Sequence, residues 1–246
     1  MKIIKLSAID STNSFLKELA QNSVLDNYTI AVTDKQTLGR GQINNSWHSK
    51  PFKNLTFSIF TLFNKLKITH QSHLNFAISL AIFDCLKSMS VPGITIKWPN
   101  DIMSGNQKIC GILVETTFKN QEIKNAVIGI GLNVNQENFP NHIYNVSSLK
   151  KILKKDFNLD EIMQDLSKRV QARILELENE NFAAIYDDYL NNLYKKDQPT
   201  AFKNEKTKVF FMGMIKGVSP QGNLQVQLED DSIVEFGIKE ISLAKV

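Results

Sequence analysis

The residues best suited to chemistry lie in two runs, Lys97-Trp-Pro-Asn-Asp101 and Lys108-Ile-Cys-Gly111. An apolar, β-branched stretch leads into the first run, where Pro99 removes a backbone donor and pushes the preceding residue towards an extended conformation. A polar turn around Gly105 leads back into a second apolar stretch, so the pattern predicts a β-hairpin. Its strands would bring two ammonium groups, an amide and a carboxylate together at strand ends, the usual arrangement of a site on a rigid scaffold.

A polar loop earlier in the chain, residues 37–47, is a second candidate, because Gly39 and Gly41 flank Arg40 there. Glycines let the backbone approach a ligand closely, and arginine offers a planar, charged fork suited to phosphate or carboxylate. No Lys-Ser/Thr pair follows at Walker A spacing. The loop alone also fits an ordinary surface turn, but combined with the hairpin it indicates a site for a phosphate or carboxylate group.

Two further patterns do not predict the sites that they first suggest. Gly129 and Gly131 lie within a strand-like run, and without a third glycine or an immediate helix they do not form a dinucleotide fingerprint. Alternate glycines on one face of a strand instead leave room for a flat group against the sheet. His70 and His73 have the spacing of a metal pair, but no third ligand stands nearby, so we predict no metal site.

Strands and helices follow one another along the chain in a pattern typical of an α+β fold. We predict strands at residues 3–9, 28–33, 55–63 and 126–135, and helices starting at residues 11–13, 72, 160 and 182. Residues 195–206 are polar and contain Pro199, which indicates a domain boundary. Beyond it, three short strands between residues 209 and 236 are broken by glycines and acidic turns, which is typical of a small β-barrel or sandwich.

The composition is that of an ordinary globular chain: 246 residues, 42% hydrophobic and 22% charged. The net charge of +4 comes from scattered basic residues and does not indicate nucleic-acid binding. Cys85 and Cys110 lie in apolar segments, which favours buried thiols in a reducing compartment over a disulfide. We find no apolar signal core and no membrane-spanning run, so we expect a cytoplasmic protein. The sequence is compatible with both a monomer and a homodimer.

Together, the hairpin, the Gly-Arg-Gly loop and a Ser11-Thr-Asn13 triplet resemble the biotin protein ligase family, and the resemblance extends over almost the whole chain. It implies a mixed β-sheet catalytic domain flanked by helices, of the class II synthetase-like biotin/lipoyl ligase type, at residues 1–196. A small SH3-like β-barrel domain would follow at residues 203–246. Some bacterial members carry an N-terminal DNA-binding domain and act as repressors; this chain begins at the catalytic domain, so we expect no DNA binding.

The resemblance implies a two-step reaction that uses ATP. The carboxylate of biotin attacks the α-phosphate of ATP and gives biotinyl-adenylate and pyrophosphate. A lysine of an acceptor, a biotin carboxyl carrier protein, then attacks the adenylate and releases AMP. Fixed cations stabilise the negative charge that both steps concentrate in one small volume. Mg²⁺ is expected with ATP, bound through phosphates and waters rather than by many protein ligands.

Three residues are expected to be catalytic. Lys108 would bridge the carboxylate of biotin and the α-phosphate. Arg40 would hold phosphate oxygens, helped by the N–H groups of its two flanking glycines. Asp101 either orients and deprotonates the incoming lysine or forms a salt bridge that positions Lys108. Lys97 is assigned no catalytic role.

The implied binding residues come from the triplet, the loop, the hairpin and the glycine-rich strand. Biotin is expected to contact Ser11, Thr12, Asn13, Gln36, Gly39, Arg40, Gly41, Trp47, Lys108 and Gly111. ATP and the adenylate are expected to contact Arg40, Trp47, Asn100, Lys108 and Asn133. From periodicity alone the triplet is a helix cap, and Trp47 and Trp98 are core aromatics, adenine platforms or both.

One segment departs from the family pattern, and two other functions stay open. Where many members have further arginines and a glycine, residues 42–45 are Gln-Ile-Asn-Asn, which should weaken retention of the intermediate. A lipoate ligase or octanoyl transferase would share the fold and the lysine-directed chemistry. A binding or regulatory protein without turnover would keep the pocket, and the departure at residues 42–45 is its only support.

Overall fold

The computed structural model describes residues 1–42, 45–141 and 143–244, which form two β-sheets and five α-helices. The larger sheet contains seven strands: β1 (Ile3–Leu6), β2 (Thr29–Thr33), β3 (Leu55–Leu62), β4 (Ile94–Lys97), β5 (Asp101–Ser104), β6 (Gln107–Lys119) and β7 (Glu122–Leu132). Their order is β1-β2-β3-β7-β6-β5-β4, with β1 and β2 parallel and the other neighbours antiparallel. This mixed sheet with flanking helices confirms the predicted fold class.

Helices cover both faces of the larger sheet. They are α1 (Thr12–Asn22), α2 (Gln71–Ser88), α3 (Leu149–Leu153), α4 (Leu159–Glu178) and α5 (Phe182–Asn191). As predicted, α2 is buried on most sides, because it packs between the sheet, α4 and α5. On the other face α1 contributes Leu16 to a separate small cluster with Phe60 and Val127. The face that carries α1 is also the face that carries the candidate site.

The start of α1 shows why the Ser11-Thr-Asn13 triplet has two uses. Ser11 is the N-cap, and its side chain accepts a hydrogen bond from the backbone N–H of Ser14 at 3.4 Å. Thr12 and Asn13 begin the helix itself, and both side chains are buried against the sheet. Ser11 therefore caps the helix, and the side chains of Thr12 and Asn13, which are not needed for capping, face the sheet.

The predicted hairpin is wrong in its pairing. The strand β4 pairs with β5, and β5 in turn pairs with β6, so an additional strand separates β4 from β6. Trp98, Pro99 and Asn100 form the tight turn between β4 and β5, and the Trp98–Pro99 peptide bond is cis. Lys97 and Asp101 are direct register partners across that turn, so the functional groups still meet.

The second sheet contains two strands that the sequence did not predict. Its order is β11-β10-β9-β8-β12, all antiparallel. The strands are β8 (Pro199–Asn204), β9 (Phe210–Val218), β10 (Leu224–Gln227), β11 (Ile233–Phe236) and β12 (Ile241–Leu243). The unpredicted β8 lies within the polar stretch 195–206 and begins at Pro199, since a missing donor is tolerated at the first residue of a strand.

The two sheets are joined by side-chain donors that reach one turn of the smaller sheet, residues 218–222. Trp98 Nε1 donates to the carbonyl oxygen of Gly222 at 2.9 Å. Tyr186 OH and Ser72 Oγ donate to the carbonyls at positions 218 and 220, at 2.7 and 2.5 Å. The smaller sheet is therefore bonded to α2, α5 and the turn that follows β4.

The two cysteines are buried in the core, and His70 packs against an aromatic ring. Cys85 and Cys110 are free, buried thiols, as the sequence predicted. Burial raises the pKa of the Cys85 thiol to about 12, which keeps it protonated at neutral pH. His70 stacks on Phe182 with ring centroids 3.8 Å apart, inside an aromatic cluster between α2 and α5.

Among the described residues, no helix is both long and apolar enough to cross a bilayer.

Arg173 ties three helices together, and its removal should destabilise the fold. Its guanidinium pairs with Asp84 on α2 at 2.9 Å and with Asp188 on α5 at 3.2 Å, and the side chain is 16% exposed. Losing one partner of a largely buried ion network leaves the carboxylates unpaired. We expect Arg173→Ala to lower the free energy of unfolding by about 2 kcal/mol in urea titrations.

The matched control is Lys5→Ala, because Lys5 pairs with Asp160 through side chains that are 63% and 56% exposed. Such a surface pair contributes roughly 0.5 kcal/mol. Equal losses for the two variants would contradict the role given to Arg173.

Candidate active site

A cleft of about 1820 Å³ lies on the α1 face of the larger sheet and extends to the smaller sheet. Its walls come from the start of α1, the loop after β2, the ends of β4 to β7, residues 193–195, the strand β8 and the edge strand β12. Most of the residues that the sequence singled out line this cleft. They are Ser11, Thr12, Asn13, Gln36, Arg40, Gly41, Trp47, Asn100, Asp101, Lys108 and Gly111.

A bare patch in the middle of the sheet forms the floor of the cleft. Gly111 on β6 and Gly131 on β7 are direct register partners, so the sheet has no side chain there on either strand. The indole of Trp47 lies on this patch: a Cβ added to Gly131 would stand 2.8 Å from Trp47 Nε1, and one added to Gly111 would stand 3.2 Å from Cζ3. The space for a flat group predicted from the glycine pattern is therefore occupied by a tryptophan of the same chain.

Lys108 is held beside this floor by both its backbone and its side chain. Its N–H donates to the carbonyl of Asn145 at 2.7 Å, and its Nζ lies 2.6 Å from Asp101 Oδ1. The ammonium also lies 5.7 Å from the Trp47 ring centroid. The structure therefore contains the salt bridge to Asp101, one of the two roles considered from the sequence.

Lys97 shares this end of the cleft. Burial lowers the pKa of its ammonium; Asp101 opposes that effect, and the nearby charges of Lys108 and Lys195 add to it. The sequence did not single out Lys195, because nothing local links it to a strand that lies about a hundred residues earlier. This end of the cleft therefore carries more positive than negative charge.

A buried polar network lies at the opposite end of the cleft. The backbone N–H of Thr12 donates to Gln36 Oε1 at 2.9 Å, and its hydroxyl lies 2.7 Å from Ser58 Oγ. Ser58 Oγ in turn donates to Asn13 Oδ1 at 2.5 Å. Gly129 makes this possible, because any Cβ there would collide with the Asn13 amide. The network joins three of the predicted biotin residues with Ser58, which the sequence analysis missed.

Glu115 extends the network to the loop that carries Arg40. Its carboxylate accepts hydrogen bonds from Asn13 Nδ2 at 2.9 Å, Lys17 Nζ at 2.8 Å and Arg40 Nη2 at 2.6 Å. Burial alone would raise its pKa, but the bonds from Lys17 and Asn13 and the positive charges outweigh burial and hold the pKa below its usual value. A charged residue in the otherwise apolar run after Gly111 was the signal that could have identified Glu115.

The loop from Arg40 to Trp47 is closed by its own backbone. Gly41 N–H donates to the carbonyl of Asn45 at 2.7 Å, and Trp47 N–H donates to that of Gly39 at 2.8 Å. The Gly41 N–H is therefore already used, in contrast to the prediction that both flanking N–H groups serve a phosphate. Gly39 lines an adjoining smaller cavity instead of the main cleft. Of the divergent segment 42–45, Ile43 and Asn44 lie outside the described residues.

The two predicted asparagines have different positions. Asn100 lines the cleft and donates from Nδ2 to the carbonyl of Ile112 at 2.5 Å, which ties the tight turn to β6. Asn133 is 2% exposed, does not line the cleft, and donates to the carbonyl of Ser147 at 3.0 Å. Asn133 therefore supports Lys108 from behind the cleft wall. It bonds to Ser147, and the Ser147 N–H donates to the Lys108 carbonyl.

Fold and site together define an α+β protein with a cleft that has buried hydroxyl and amide groups at one end and an excess of ammonium groups at the other. Residues 6–133 match the model of the Biotin/lipoate A/B protein ligase family, and the chain therefore belongs to that family.

Individual relatives agree with this assignment. Bifunctional ligase/repressor BirA of Bacillus spizizenii is 26% identical over 99% of this chain and 73% of its own length. Biotin--[acetyl-CoA-carboxylase] ligase of Mycobacterium tuberculosis is 27% identical over 70% of this chain and 63% of its own length. A structure of biotin protein ligase from Aquifex aeolicus in complex with biotin and ATP matches with a TM-score of 0.80 and 25% identity, covering 100% of this chain and 99% of that one.

Filling the bare patch should displace Trp47. We expect Gly131→Ala to lower the free energy of unfolding by about 1–3 kcal/mol, the usual effect of overpacking, and to make the tryptophan emission easier to quench with acrylamide. Gly217→Ala is the control, since a Cβ there meets nothing closer than 3.4 Å. Unchanged quenching in Gly131→Ala would show that Trp47 does not lie on the floor in solution.

Removing the charge of Glu115 should release the Arg40 loop. We expect trypsin to cleave after Arg40 about fivefold faster in Glu115→Gln than in the wild type, because the half-exposed ion pair contributes about 1 kcal/mol. Lys17→Gln is the matched control: it removes another partner of Glu115 and leaves the Arg40 pair intact. Equal cleavage of Glu115→Gln and wild type would mean that the loop is held by its backbone bonds alone.

Proposed function

We propose that the protein is a biotin protein ligase, which activates biotin with ATP and transfers the biotinyl group to a lysine of a carrier protein. The observation that carries the proposal is the joint placement of the Lys108–Asp101 pair, Arg40 and the Thr12–Asn13 network around one glycine floor. The relatives support it, since their names describe biotin ligases and the Aquifex aeolicus structure holds biotin and ATP.

The polar network is suited to the ring end of biotin. A cyclic urea has one carbonyl acceptor and two N–H donors, and a buried site must satisfy all three. Thr12, Asn13, Ser58 and Gln36 supply hydroxyl and amide groups of both kinds within one connected set. The glycine floor and the Trp47 ring provide apolar contact for the alkyl chain, so the carboxylate would point to Lys108.

The cationic end is suited to adenylation. A carboxylate oxygen of biotin forms a bond to the α-phosphorus while the bond to the pyrophosphate oxygen breaks, and no proton transfer is needed. Lys108 is placed to stabilise the charge on both reacting groups. Arg40 now bonds to Glu115 and is 42% exposed, so it can exchange this carboxylate for phosphate oxygens without leaving a buried charge unpaired.

In the second step the acceptor amine must be neutral to attack the acyl carbon, and AMP leaves. Asp101 is the carboxylate at this end, 20% exposed and 2.6 Å from Lys108. Its contact with Lys108 fits the positioning role. Once Lys108 turns to a phosphate, Asp101 loses that partner and is available as a proton acceptor, so the two roles considered from the sequence can follow one another.

Mg²⁺ is expected to accompany ATP, bound through its phosphates. Within residues 1–42, 45–141 and 143–244, no group of three or more His, Cys, Asp or Glu side chains could hold a metal ion. The described residues therefore do not form a metal cage, and we assign no step to the ion. Mg²⁺ bound through phosphate oxygens and waters is compatible with this arrangement.

The acceptor, the domain division and the location extend this proposal. The acceptor would be a biotin carboxyl carrier protein, as the name of the Mycobacterium tuberculosis relative suggests through acetyl-CoA carboxylase. Residues 1–196 would form the catalytic domain and residues 203–246 the core of an SH3-like domain, with β8 crossing the boundary. A cytoplasmic location would supply ATP and keep the buried thiols reduced.

Lys108→Ala should nearly abolish adenylation while leaving the fold intact. Removal of one well-placed cation or donor typically lowers the rate about 10²–10³-fold, and Lys108 touches both reacting groups in the proposed complex. The measurement is pyrophosphate release with biotin and ATP, with calorimetric titration of biotin and circular dichroism as folding checks. Lys119→Ala, an exposed lysine on the same strand, is the control.

Three outcomes would contradict the assignment. A folded wild type that does not bind biotin would point to a lipoyl or octanoyl substrate instead. Biotin binding without pyrophosphate release would indicate a binding protein without turnover. A Lys108→Ala variant that fails to fold would show that the lysine is structural.

A further inference from the structure

Lys195 is fixed at the junction between the two sheets. Just before it, Tyr194 N–H donates to the carbonyl of Ile96 on β4 at 2.8 Å. Just after it, Asp197 N–H donates to the carbonyl of Ile215 on β9 at 2.9 Å. Lys195 itself has a left-handed backbone, with φ at 57°. A lysine tied on both sides in this way is not part of a mobile linker, and its side chain lines the same cleft as Lys97 and Lys108.

The charges around Lys195 do not balance. Lys97, Lys108 and Lys195 all line this cleft. Asp101, the register partner of Lys97, is already bonded to Lys108. In the part of the chain that the structure describes, neither Lys97 nor Lys195 lies within ion-pair distance of a carboxylate. Like charges held together in a partly buried cleft repel one another unless an anion enters.

The nearest acidic residue along the chain does not correct this imbalance. Asp197 pairs with Lys196 at 3.6 Å and, at shorter range, with Lys216. Across the cleft, Glu205 is likewise engaged by Lys203 at 3.5 Å and Lys208 at 3.0 Å. The acidic groups around the linker are thus occupied by other lysines, and the excess positive charge stays at Lys97 and Lys195.

We propose that Lys195, together with Lys97, forms the subsite for the pyrophosphate portion of the nucleoside triphosphate, on the linker side of Lys108. This inference rests on the proposed function, since Lys108 marks the position of the α-phosphate. A diphosphate group carries several negative charges and matches two adjacent ammonium groups that lack carboxylate partners. Lys195 would bind the leaving group of the first step and would have no partner in the adenylate.

That asymmetry between the two steps gives the test. Lys195→Asn removes the charge and keeps a residue that tolerates the left-handed backbone. We expect it to raise the KM for ATP and the inhibition constant for inorganic pyrophosphate by about tenfold, the effect of one charge-assisted contact. Biotin affinity and transfer from preformed biotinyl-adenylate to the carrier should stay unchanged. In the Lys195→Arg variant, which keeps the positive charge, the KM for ATP and the inhibition constant for pyrophosphate should stay near the wild-type values.

Lys196→Asn is the matched control, because Lys196 is the next residue and pairs with Asp197 instead of facing Lys97. It should leave both constants unchanged. Calorimetric titration of inorganic pyrophosphate into the free wild type and into Lys195→Asn tests the subsite without any turnover. We expect binding to the wild type to be about tenfold tighter.

The outcomes separate this inference from the proposed function. Equal pyrophosphate affinity and equal ATP KM in wild type and Lys195→Asn would overturn the subsite while adenylation stands. Slower transfer with an unchanged ATP KM would assign Lys195 to the acceptor protein instead and also overturn it. A wild type that releases no pyrophosphate from biotin and ATP would overturn the proposed function, and the titration would still decide whether a diphosphate binds at Lys195.

Discussion

The absence of side chains at three positions of the sheet is the constraint on which the rest of the site depends. Gly111 and Gly131 face each other on β6 and β7, and Gly129 lies two residues away on the same face. Only because these positions are bare can the Trp47 ring and the Asn13 amide approach the backbone so closely. Everything else in the cleft is arranged at the edges of this floor, with polar amides at one end and ammonium groups at the other.

The contacts around the floor connect segments that are far apart in the chain. Glu115 on β6 bonds to α1 through Asn13 and Lys17, and to the loop through Arg40. The loop therefore has two kinds of restraint: its own backbone bonds and the ion pair between Arg40 and Glu115. A ligand that forms an ion pair with Arg40 would break the Arg40–Glu115 pair and would itself hold the loop. Loop order and ligand binding are therefore coupled through the Glu115 carboxylate.

The sequence predicted those features that are local or repeated. A cap within Ser11-Thr-Asn13, the periodicity of α2 and the crowding of functional groups around Asp101 follow from spacing alone, and the structure confirms them, with Ser11 as the cap. The sequence analysis was wrong or silent where distant segments meet. Trp47 on the glycine floor and Lys195 beside Lys97 depend on contacts between remote segments, which one-dimensional patterns do not contain. The extra strand β5 is local but only four residues long, which leaves little periodicity to read.

The hydrogen bond from Trp98 to Gly222 has a consequence for truncation experiments. Trp98 stands in the turn that carries Asn100 and Asp101, so the smaller sheet holds part of the site in place from outside the reacting region. Cutting the chain before β8 would leave the Trp98, Tyr186 and Ser72 donors without their carbonyl partners and expose the apolar surface beneath them. A shortened chain would therefore lose activity even if the missing residues never touch a substrate.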